Sequence, residues 1–434
     1  MDYDYIVLGG GISGLSSAFF LKKNGLNGLV LESKDKVGGI LNSKTIGEYT
    51  LDFGANSASL TPEFEQLIKD LHLEDDLLTA EAISNKRYLF SSNQFHAVEP
   101  HPVKILKSKL LTAKAKYRLF TESWRKKNEN PEDESVAEFV TRRFGKEILE
   151  KVFDPVLSGI YAGDVQKLSM QQVMPSLVNW EKEYGSVTKG VFKNAKSMKQ
   201  RKIVNFKGGF ATLVSALEKK LEEEILTSTI VIAIEFIDDL YVVFTKNSDG
   251  KLESFSTKKV ISTLPSYVLS KLVSSLDTDL VEPLRNIEYT TMNILHIGFK
   301  KQDVQLIPQG FGFLVPSIEK RKFLGAINQS LIFPEKAPTD IALLTVFYKH
   351  HSIEEVIIDL KEVLKTNAEP VFQETFKWEF ALPQFNVGYK NILDRVEAFE
   401  KNFPSFYVQG NWRTGVAVGN IIENAFLLSE KIKK

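Results

Sequence analysis

The chain of 434 residues contains no cysteine and only six histidines. Without a thiol there is no disulfide, no thiolate nucleophile, no iron–sulfur cluster and no cysteine-ligated zinc. His350 and His351 are adjacent, whereas two histidines that bind a metal from one helix are spaced i, i+4, so we expect no metal site. A catalytic centre built on a protein nucleophile or a metal ion is therefore difficult to assemble from this composition.

Net charge and long apolar runs are also missing. Lys and Arg together number 55, as do Asp and Glu, and this balance argues against a nucleic-acid partner. No stretch of about 18 apolar residues occurs, and the first residues lack the basic, apolar and small-residue order of a secretion signal. We therefore expect a cytoplasmic protein without a membrane-spanning segment.

The N-terminus carries a dinucleotide-binding pattern. An apolar run at residues 5–8 leads into Gly-x-Gly-x-x-Gly at residues 9–14, then into helical spacing and a second apolar run that ends at Glu32. Such glycines allow a tight turn, close approach of the backbone to a pyrophosphate and close helix packing, while the acid binds a ribose. The predicted cofactor contacts in this segment are Gly9, Gly10, Gly11, Ile12, Ser13, Gly14, Glu32 and Ser33.

Later segments indicate FAD rather than NAD as the dinucleotide. The glycine pair Gly38-Gly39 follows the acid closely, and this arrangement resembles flavoproteins of the amine-oxidase type, in which the chain passes FAD at that point. The resemblance extends to residues 51–57, to a strand pair at 230–245 and to a C-terminal segment at 415–420. It implies one noncovalent FAD per chain, held also by Gly54, Ala55, Asn56, Ser57, Ile234, Val416, Ala417 and Val418.

Between its two ends the chain carries two distinctive segments, Ser-Gly-Ile-Tyr-Ala-Gly-Asp at residues 158–164 and Gly-Phe-Gly-Phe-Leu-Val-Pro at 310–316. With residues 134–145 and 382–385, they resemble the protoporphyrinogen oxidase family. The resemblance implies a heme-pathway enzyme that oxidises protoporphyrinogen IX to protoporphyrin IX in three two-electron steps. FAD would pass the electrons to molecular oxygen, with release of hydrogen peroxide.

The same resemblance implies site residues, one position at a time. Arg87 matches an arginine that binds a substrate propionate, since guanidinium and carboxylate pair bidentately, and Gly159 matches a glycine whose backbone approaches the macrocycle. The implied substrate contacts are Arg87, Gly159, Gly312, Leu314, Ile327 and Phe347, and Trp378 is expected to border the flavin. No residue receives a catalytic role, because the flavin carries the chemistry.

A basic region precedes the most specific of these segments. Residues 101–127 contain nine Lys or Arg and one acid, Glu122. Apolar residues recur there at spacings of three and four, which predicts an amphipathic helix with a basic polar face. They are Leu106, Leu110, Ala113, Tyr117, Phe120 and Trp124. A solvated face on a core-packed helix is the ordinary interpretation, whereas the family resemblance implies a helical domain that docks on an anionic membrane surface.

We expect an α/β fold with an α+β substrate part, in which a Rossmann-like FAD-binding domain is combined with a sheet-based substrate domain and a helical insert. The predicted FAD-binding domain comprises residues 1–75, 205–265 and 375–434, the substrate domain 76–95 and 266–374, and the helical, membrane-associating insert 96–204. FAD and the macrocycle are expected to meet where these domains face each other. Candidate partners beyond substrate and oxygen are the inner face of a membrane, a ferrochelatase and a second copy of the chain.

Rival functions stay open at this point. A coproporphyrinogen III oxidase catalyses the same reaction on a ring with four propionates, for which Lys86, Lys167 and Lys189 could supply extra cations. An amine oxidase or a carotenoid desaturase would share the FAD domain but use another substrate. A non-catalytic FAD-binding protein is the alternative from a different class.

Overall fold

The computed structural model describes residues 2–98, 108–128, 133–194 and 201–433. The chain forms two compact units. The first consists of Met1–Thr79, Arg201–Glu288 and Asn391–Lys434, and the second of Ala80–Gln200 and Tyr289–Lys390. The predicted α/β fold class is confirmed, while our division into three domains stays a prediction. Most of the predicted substrate domain and the predicted helical insert lie together in the second unit.

A five-stranded parallel sheet forms the centre of the first unit. Its strands, in spatial order, are Ile225–Leu226, Gly28–Leu31, Tyr5–Leu8, Val260–Ser262 and Phe406–Val408. Tyr5–Leu8 is buried along its whole length, as expected for a parallel strand covered on both faces by helices. Strands from the beginning, the middle and the end of the sequence therefore build one sheet, and the chain ends converge within the first unit.

Smaller sheets and helices surround this sheet. The antiparallel sheets of the first unit are Thr229–Ile237 with Leu240–Asn247 and Leu252–Thr257, Ser43–Ile46 with Tyr49–Asp52, and Ala58–Ser59 with Ile203–Phe206 and Leu77–Thr79. Its helices are Ile12–Lys23, Pro62–Asp70, Ala211–Lys220, Ser266–Leu272, Val281–Arg285, Asn411–Thr414, Val418–Lys433 and most of Tyr389–Asn402. Helices Ile12–Lys23 and Val418–Lys433 pack together in one apolar core with Pro62–Asp70 and Ala211–Lys220.

The second unit is built on a seven-stranded sheet. Its strands, in spatial order, are Phe372–Pro383, Tyr289–Lys300, Ile341–Tyr348, Gly325–Ile327, Gly312–Leu314, Arg87–Ser91 and Gln94–Val98. Every neighbouring pair is antiparallel except Gly312–Leu314 with Arg87–Ser91. One face of the sheet packs on helix Ile353–Leu364, through alternate residues such as Leu295, Ile297 and Val346. Alternation assigns the residues in between to the opposite face.

Short helices make up the rest of the second unit. They are Ala113–Phe120, Val136–Arg143, Lys146–Ile148, Asp154–Tyr161, Met170–Val173, Pro175–Tyr184, Val187–Asn194 and Gln329–Ile332, besides Ile353–Leu364. A π-helical turn, Leu149–Phe153, runs directly into Asp154–Tyr161; such turns are frequent at functional sites. Within the described ranges, no helix is long and apolar enough to cross a bilayer.

The predicted amphipathic helix differs from the structure. Only Ala113–Phe120 is helical in the described part of that region, and it buries Ala115 and Leu119, while Leu106 lies outside the described residues. Of the predicted apolar stripe, Leu110 is buried, but Tyr117 is 68% exposed and Phe120 65%. The predicted choice of inward-facing residues was wrong, because Ala115 and Leu119, spaced i, i+4, are the residues that pack inward.

A buried ion pair fixes this region. Glu122 and Arg143 are both fully buried and bonded to each other. The Glu122 carboxylate also accepts hydrogen bonds from the Ser186 hydroxyl and from the backbone N–H groups of Val187 and Thr188, which begin helix Val187–Asn194. Burial alone would raise the pKa of Glu122, but hydrogen bonds from Ser186 and Thr188 and the charge of Arg143 outweigh it, so the pKa is lowered. The carboxylate therefore ties two helical segments together in its charged form.

Candidate functional site

Two glycine segments of the first unit form one cradle. Gly9 has φ +99°, Gly38 +111° and Gly39 +60°, values that side chains rarely adopt. The Gly38 N–H donates to the Gly10 carbonyl at 2.8 Å, and a Cβ on Gly39 would lie 3.2 Å from the Gly11 Cα. The pair Gly38-Gly39, which follows Glu32 closely in the sequence, therefore contacts the glycine turn at residues 9–11 directly.

The N-terminus of helix Ile12–Lys23 opens into this cradle. A Cβ on Gly14 would lie 2.0 Å from the Gly9 carbonyl oxygen, so glycine alone allows the turn to fold back on the helix. Gly11 is the N-cap, no side chain caps the helix, and its first turn, which holds Ile12 and Ser13, contains no acid. Backbone N–H groups without an intrahelical partner, at the positive end of a helix dipole, bind phosphate, so these residues fit the pyrophosphate of a dinucleotide.

Glu32 follows the strand Gly28–Leu31 and is oriented by its neighbours. Its Oε2 accepts from the Gly10 N–H at 2.8 Å, and its Oε1 accepts from the Lys34 N–H at 2.9 Å and from the Ser33 hydroxyl at 3.2 Å. Two carboxylate oxygens offer about four lone-pair sites, so acceptor capacity for a ribose hydroxyl is left. The predicted role of Glu32 is compatible with this geometry.

Residues 54–57 lie beside a buried polar cluster that was not predicted from the sequence. Asp52 is buried and accepts hydrogen bonds from the Ser43 hydroxyl, the Asn205 amide and the Phe210 N–H, at 2.6, 2.9 and 2.9 Å. Asn56 Oδ1 is buried without a hydrogen-bond partner among the described residues. An unpaired buried acceptor costs free energy, and a hydrogen-bond donor of a bound cofactor would satisfy it. The acid Asp52 directly before Phe53-Gly54 was the signal available in the sequence.

The predicted C-terminal contacts also belong to the first unit. Gly415, at φ +95°, turns the chain toward Val416 and Ala417, and helix Val418–Lys433 begins at Val418. A Cβ on Gly419 would lie 2.3 Å from the Ser59 carbonyl oxygen, so this helix start packs next to residues 54–57. Gly54, Ala55, Asn56 and Ser57 are thus brought close to the C-terminal segment. Ile234 is fully buried on strand Thr229–Ile237.

The predicted substrate residues of the second unit share one face of its sheet. We call this the Phe347 face; it is the face opposite helix Ile353–Leu364. The strand register gives it three rows. The first row is Trp378 and Met292; the second is Phe376, Ile294, Phe347, Gly325, Leu314 and Leu89; the third is Glu374, His296, Thr345, Ile327 and Gly312. Leu314, Ile327, Phe347, Gly312 and Trp378 therefore lie together although they come from four strands.

Arg87 extends the third row. Tyr88 pairs with Phe313 on the neighbouring parallel strand, so Arg87, one residue earlier, lies level with Gly312. Its guanidinium lies 5.3 Å from the centre of the Phe311 ring, and none of the carboxylates of the described residues lies within 4 Å of it. Surrounding protein lowers the pKa of Arg87 by desolvation, yet an arginine stays charged at physiological pH. An accessible cation without a carboxylate partner thus borders an apolar surface.

Helix Asp154–Tyr161 packs across the Phe347 face at Gly159. A Cβ on Gly159 would lie 2.5 Å from Leu314 Cδ2. Ala162, which ends the helix at φ 50°, is buried in one cluster with Met292, Ile294 and Trp378. The Gln384 amide donates to the Tyr161 carbonyl at 2.9 Å and holds this helix end. A side chain at position 159 would therefore displace a residue of the Phe347 face.

Three further residues of the Phe347 face, Ile294, His296 and Thr345, were not predicted from the sequence. Every second residue of the long strand Tyr289–Lys300 faces the same side, so this alternation was the signal that could have found them. Lys86, Lys167 and Lys189 are all exposed. No group of three or more His, Asp or Glu in the described ranges could hold a metal ion.

Comparisons with known proteins agree with this geometry. The chain is 29% identical over 465 residues to mitochondrial protoporphyrinogen oxidase of Nicotiana tabacum, covering 96% of this chain and 92% of that protein. It is 26% identical over 455 residues to coproporphyrinogen III oxidase of Bacillus subtilis, covering 96% and 95%. The crystal structure of reduced UDP-galactopyranose mutase matches all of this chain and 94% of that one, with a TM-score of 0.75 and 18% identity, and shows the same fold.

A family model decides the class. Residues 12–427 match the family described as flavin containing amine oxidoreductase, and this match spans both units. The glycine cradle, the oriented Glu32 and the unpaired Asn56 Oδ1 fit the FAD that this family binds. The chain belongs to the flavin containing amine oxidoreductase family and is an FAD-dependent oxidoreductase.

Proposed function

We propose that this flavoprotein oxidises protoporphyrinogen IX to protoporphyrin IX, with molecular oxygen as the final electron acceptor and hydrogen peroxide as the second product. One observation carries the proposal: a cation without a carboxylate partner, Arg87, borders an apolar sheet face that includes Leu314, Ile327 and Phe347. Protoporphyrinogen IX is a large apolar ring with two carboxylates on one side. The names of the tobacco and Bacillus relatives support the same substrate class.

The dimensions of the Phe347 face suit a macrocycle. The strands that carry Arg87 and Phe347 are three steps apart in the sheet. At about 4.8 Å per step, roughly 14 Å separate the two residues across the strands. A ring lying over Leu314 and Ile327 could thus reach Phe347 with its apolar edge while a propionate reaches Arg87. A small amine would use only a fraction of this surface, which disfavours an amine oxidase.

The roles of the residues follow from their positions. When bound, FAD accepts hydride equivalents from the substrate and passes them to oxygen. The glycine cradle and Glu32 would hold its pyrophosphate and ribose. Arg87 would orient the ring through a bidentate ion pair, and Gly159 would leave room above Leu314. The apolar rows would exclude water from the reacting carbon.

Protoporphyrinogen is preferred over coproporphyrinogen as the substrate because the three lysines considered as extra cations are not fixed beside Arg87. Lys86, Lys167 and Lys189 are all exposed, and Lys86, one residue before Arg87, points away from the Phe347 face. Two further propionates would therefore find no fixed partner among these three lysines. Initial rates of porphyrin fluorescence with the two porphyrinogens test this preference. A kcat/KM at least tenfold higher for coproporphyrinogen would replace the proposal with the coproporphyrin-forming alternative.

The basic proposal has a direct spectroscopic test. The purified protein should be yellow with a flavin spectrum, and anaerobic addition of protoporphyrinogen should bleach it within the time of turnover. Aerobic turnover should then release hydrogen peroxide in proportion to porphyrin. A flavin that stays oxidised in the presence of either porphyrinogen, or that is bleached only by amines, would contradict a porphyrinogen oxidase.

We also propose that an aromatic patch docks this protein on an anionic membrane. The patch consists of Tyr117, Phe120 and Trp124, which are 65–74% exposed, and Lys or Arg residues flank it at 114, 116, 118 and 125–127. Aromatic side chains insert at a lipid interface, and each nearby cation adds about 1 kcal/mol on anionic lipid. Co-sedimentation should therefore be stronger with phosphatidylglycerol vesicles than with phosphatidylcholine. Binding to these vesicles should be lost in Trp124→Ser but kept in Leu252→Ser, which changes an exposed apolar residue of the first unit. An equal loss of binding in both variants would contradict the proposal.

A further inference from the structure

Phe311 provides an aromatic support for the Arg87 guanidinium. The Arg87 Cζ lies over the Phe311 ring, 5.3 Å from its centre. Such a cation–π contact restrains an arginine without using its N–H donors on a carbonyl or a carboxylate. Because none of the carboxylates of the described residues lies within 4 Å of it, the guanidinium keeps its N–H donors for a ligand.

Backbone hydrogen bonds tie Phe311 to the chain on both sides of it. The Phe311 N–H donates to the carbonyl of Lys86, directly before Arg87, at 2.8 Å, and the Phe311 carbonyl accepts from the Asn328 N–H at 2.9 Å. Phe311 precedes strand Gly312–Leu314, which lies between the strand that begins after Lys86 and the strand that ends before Asn328. The ring and Arg87 are therefore held at one end of the same three strands.

The turn before Phe311 is fixed as well. Asn328 is 2% exposed, and its side-chain amide donates to the Pro308 and Gly310 carbonyls at 2.6 and 3.0 Å. A Cβ on Gly310 would lie 2.5 Å from the Lys86 carbonyl oxygen, so the turn needs glycine to approach the chain at that point. A turn held on both sides leaves the backbone of Phe311 little freedom, and it thereby fixes the base of the ring on which Arg87 lies.

Prior restraint matters for a carboxylate anchor. Arg87 is exposed, so a propionate can reach its guanidinium. A long arginine side chain has many rotamers, and ordering it at the moment of binding lowers the affinity for the ligand. A guanidinium that already rests on an aromatic ring loses less freedom when it pairs with a propionate.

We propose that Phe311 is a positioning residue of the substrate site, which holds the Arg87 guanidinium in place before the substrate binds. Phe311 acts through Arg87 and has no part in electron transfer, so its loss should raise KM and leave kcat almost unchanged. The inference rests on the proposed function, in which Arg87 pairs with a propionate of protoporphyrinogen IX.

Steady-state kinetics of the FAD-loaded enzyme test the role of the ring. We expect KM for protoporphyrinogen to rise roughly 3- to 10-fold in Phe311→Leu, the effect of having to order one long side chain on binding. The kcat and the flavin content should stay near wild type, and Phe311→Tyr, which keeps the aromatic face, should keep KM within about twofold of wild type. Phe192→Leu, at an exposed position of helix Val187–Asn194, is the matched control.

A double-mutant cycle separates positioning from packing. If Phe311 acts through Arg87, Phe311→Leu should raise KM no further when Arg87 is already replaced by alanine. Fluorescence titrations with protoporphyrin IX and with its dimethyl ester give a second measurement that needs no turnover. The ester keeps the ring but has no carboxylate, so Phe311→Leu should weaken binding of the acid by roughly 3- to 10-fold and leave the affinity for the ester unchanged.

Three results would overturn the positioning role. The first is an unchanged KM in Phe311→Leu. The second is the same rise in KM in the wild-type and Arg87→Ala backgrounds, and the third is an equal loss of affinity for the acid and the ester; both would reduce Phe311 to a packing element. A wild-type enzyme that turns over neither porphyrinogen would instead refute the proposed oxidation, and the acid and ester titrations would still decide whether Phe311 acts on Arg87.

Discussion

Replacement of Arg87 by alanine tests the substrate site with little disturbance of the fold. The guanidinium has no carboxylate partner within 4 Å among the described residues, so its loss leaves no buried anion unpaired. Its contact with the Phe311 ring contributes about 0.5–1 kcal/mol, as cation–π pairs do at accessible sites. The free energy of unfolding should therefore change by no more than about 1 kcal/mol.

The effect on substrate binding should be larger. A hydrogen bond to a charged group contributes about 1.5–3 kcal/mol, which corresponds to a rise of roughly 10- to 150-fold in KM for protoporphyrinogen. Arg87→Lys keeps the charge but not the bidentate geometry, so its KM should lie between those of the wild type and Arg87→Ala. Steady-state porphyrin fluorescence gives KM and kcat, and the flavin spectrum verifies cofactor content. Arg285→Ala, which removes an exposed ion pair with Glu282, is the control. An unchanged KM in Arg87→Ala would refute the carboxylate anchor.

Three further substitutions examine other parts of the molecule. Gly11→Val should abolish FAD binding, because the added side chain fills the cradle beside Gly39; a yellow holoprotein after gel filtration would contradict this. Gly159→Val should keep the flavin but lower kcat/KM at least tenfold, since its Cβ alone would approach Leu314 to 2.5 Å; unchanged turnover would show that this contact is irrelevant. Glu122→Gln should lower the free energy of unfolding by about 1–3 kcal/mol, because a charged hydrogen-bond acceptor is lost while Arg143 keeps its second carboxylate partner, Glu181, at 3.2 Å; an unchanged denaturant midpoint would show that the charge of Glu122 does not stabilise the fold.

The sequence predicted best those features whose residues lie close together in the chain. The glycine turn, helix Ile12–Lys23 and Glu32 lie within thirty-two consecutive residues, and their spacing alone predicted strand, turn, helix and acid. The flavin family was likewise confirmed. Turn chemistry and helix dipoles act over a few residues, so a linear pattern records them directly.

The sequence could not reveal which distant residues share a surface. The rows of the Phe347 face depend on the register of strands as far apart as Arg87–Ser91 and Phe372–Pro383. A register shift of one residue in the strand that carries His296 or Phe347 would turn that side chain to the opposite face. The helix at residues 113–120 shows a related limit, since spacing found an apolar stripe but not which residues pack inward. Burial is decided by tertiary partners, not by the pattern itself.

The division into two units makes the proposals separable by experiment. Every predicted cofactor contact except Trp378 belongs to the first unit, and every predicted substrate contact belongs to the second. Substitutions at Gly11 or Glu32 should therefore change the flavin spectrum of the purified protein before any substrate is added. Substitutions at Arg87 or Gly159 should leave that spectrum intact and change only what happens after porphyrinogen is mixed. Trp378 is the informative exception. If Trp378→Phe alters the flavin spectrum in the absence of substrate, a residue of the second unit contacts the cofactor. If the spectrum is unchanged, the position of Trp378 beside Met292 and Phe376 makes it part of the substrate surface.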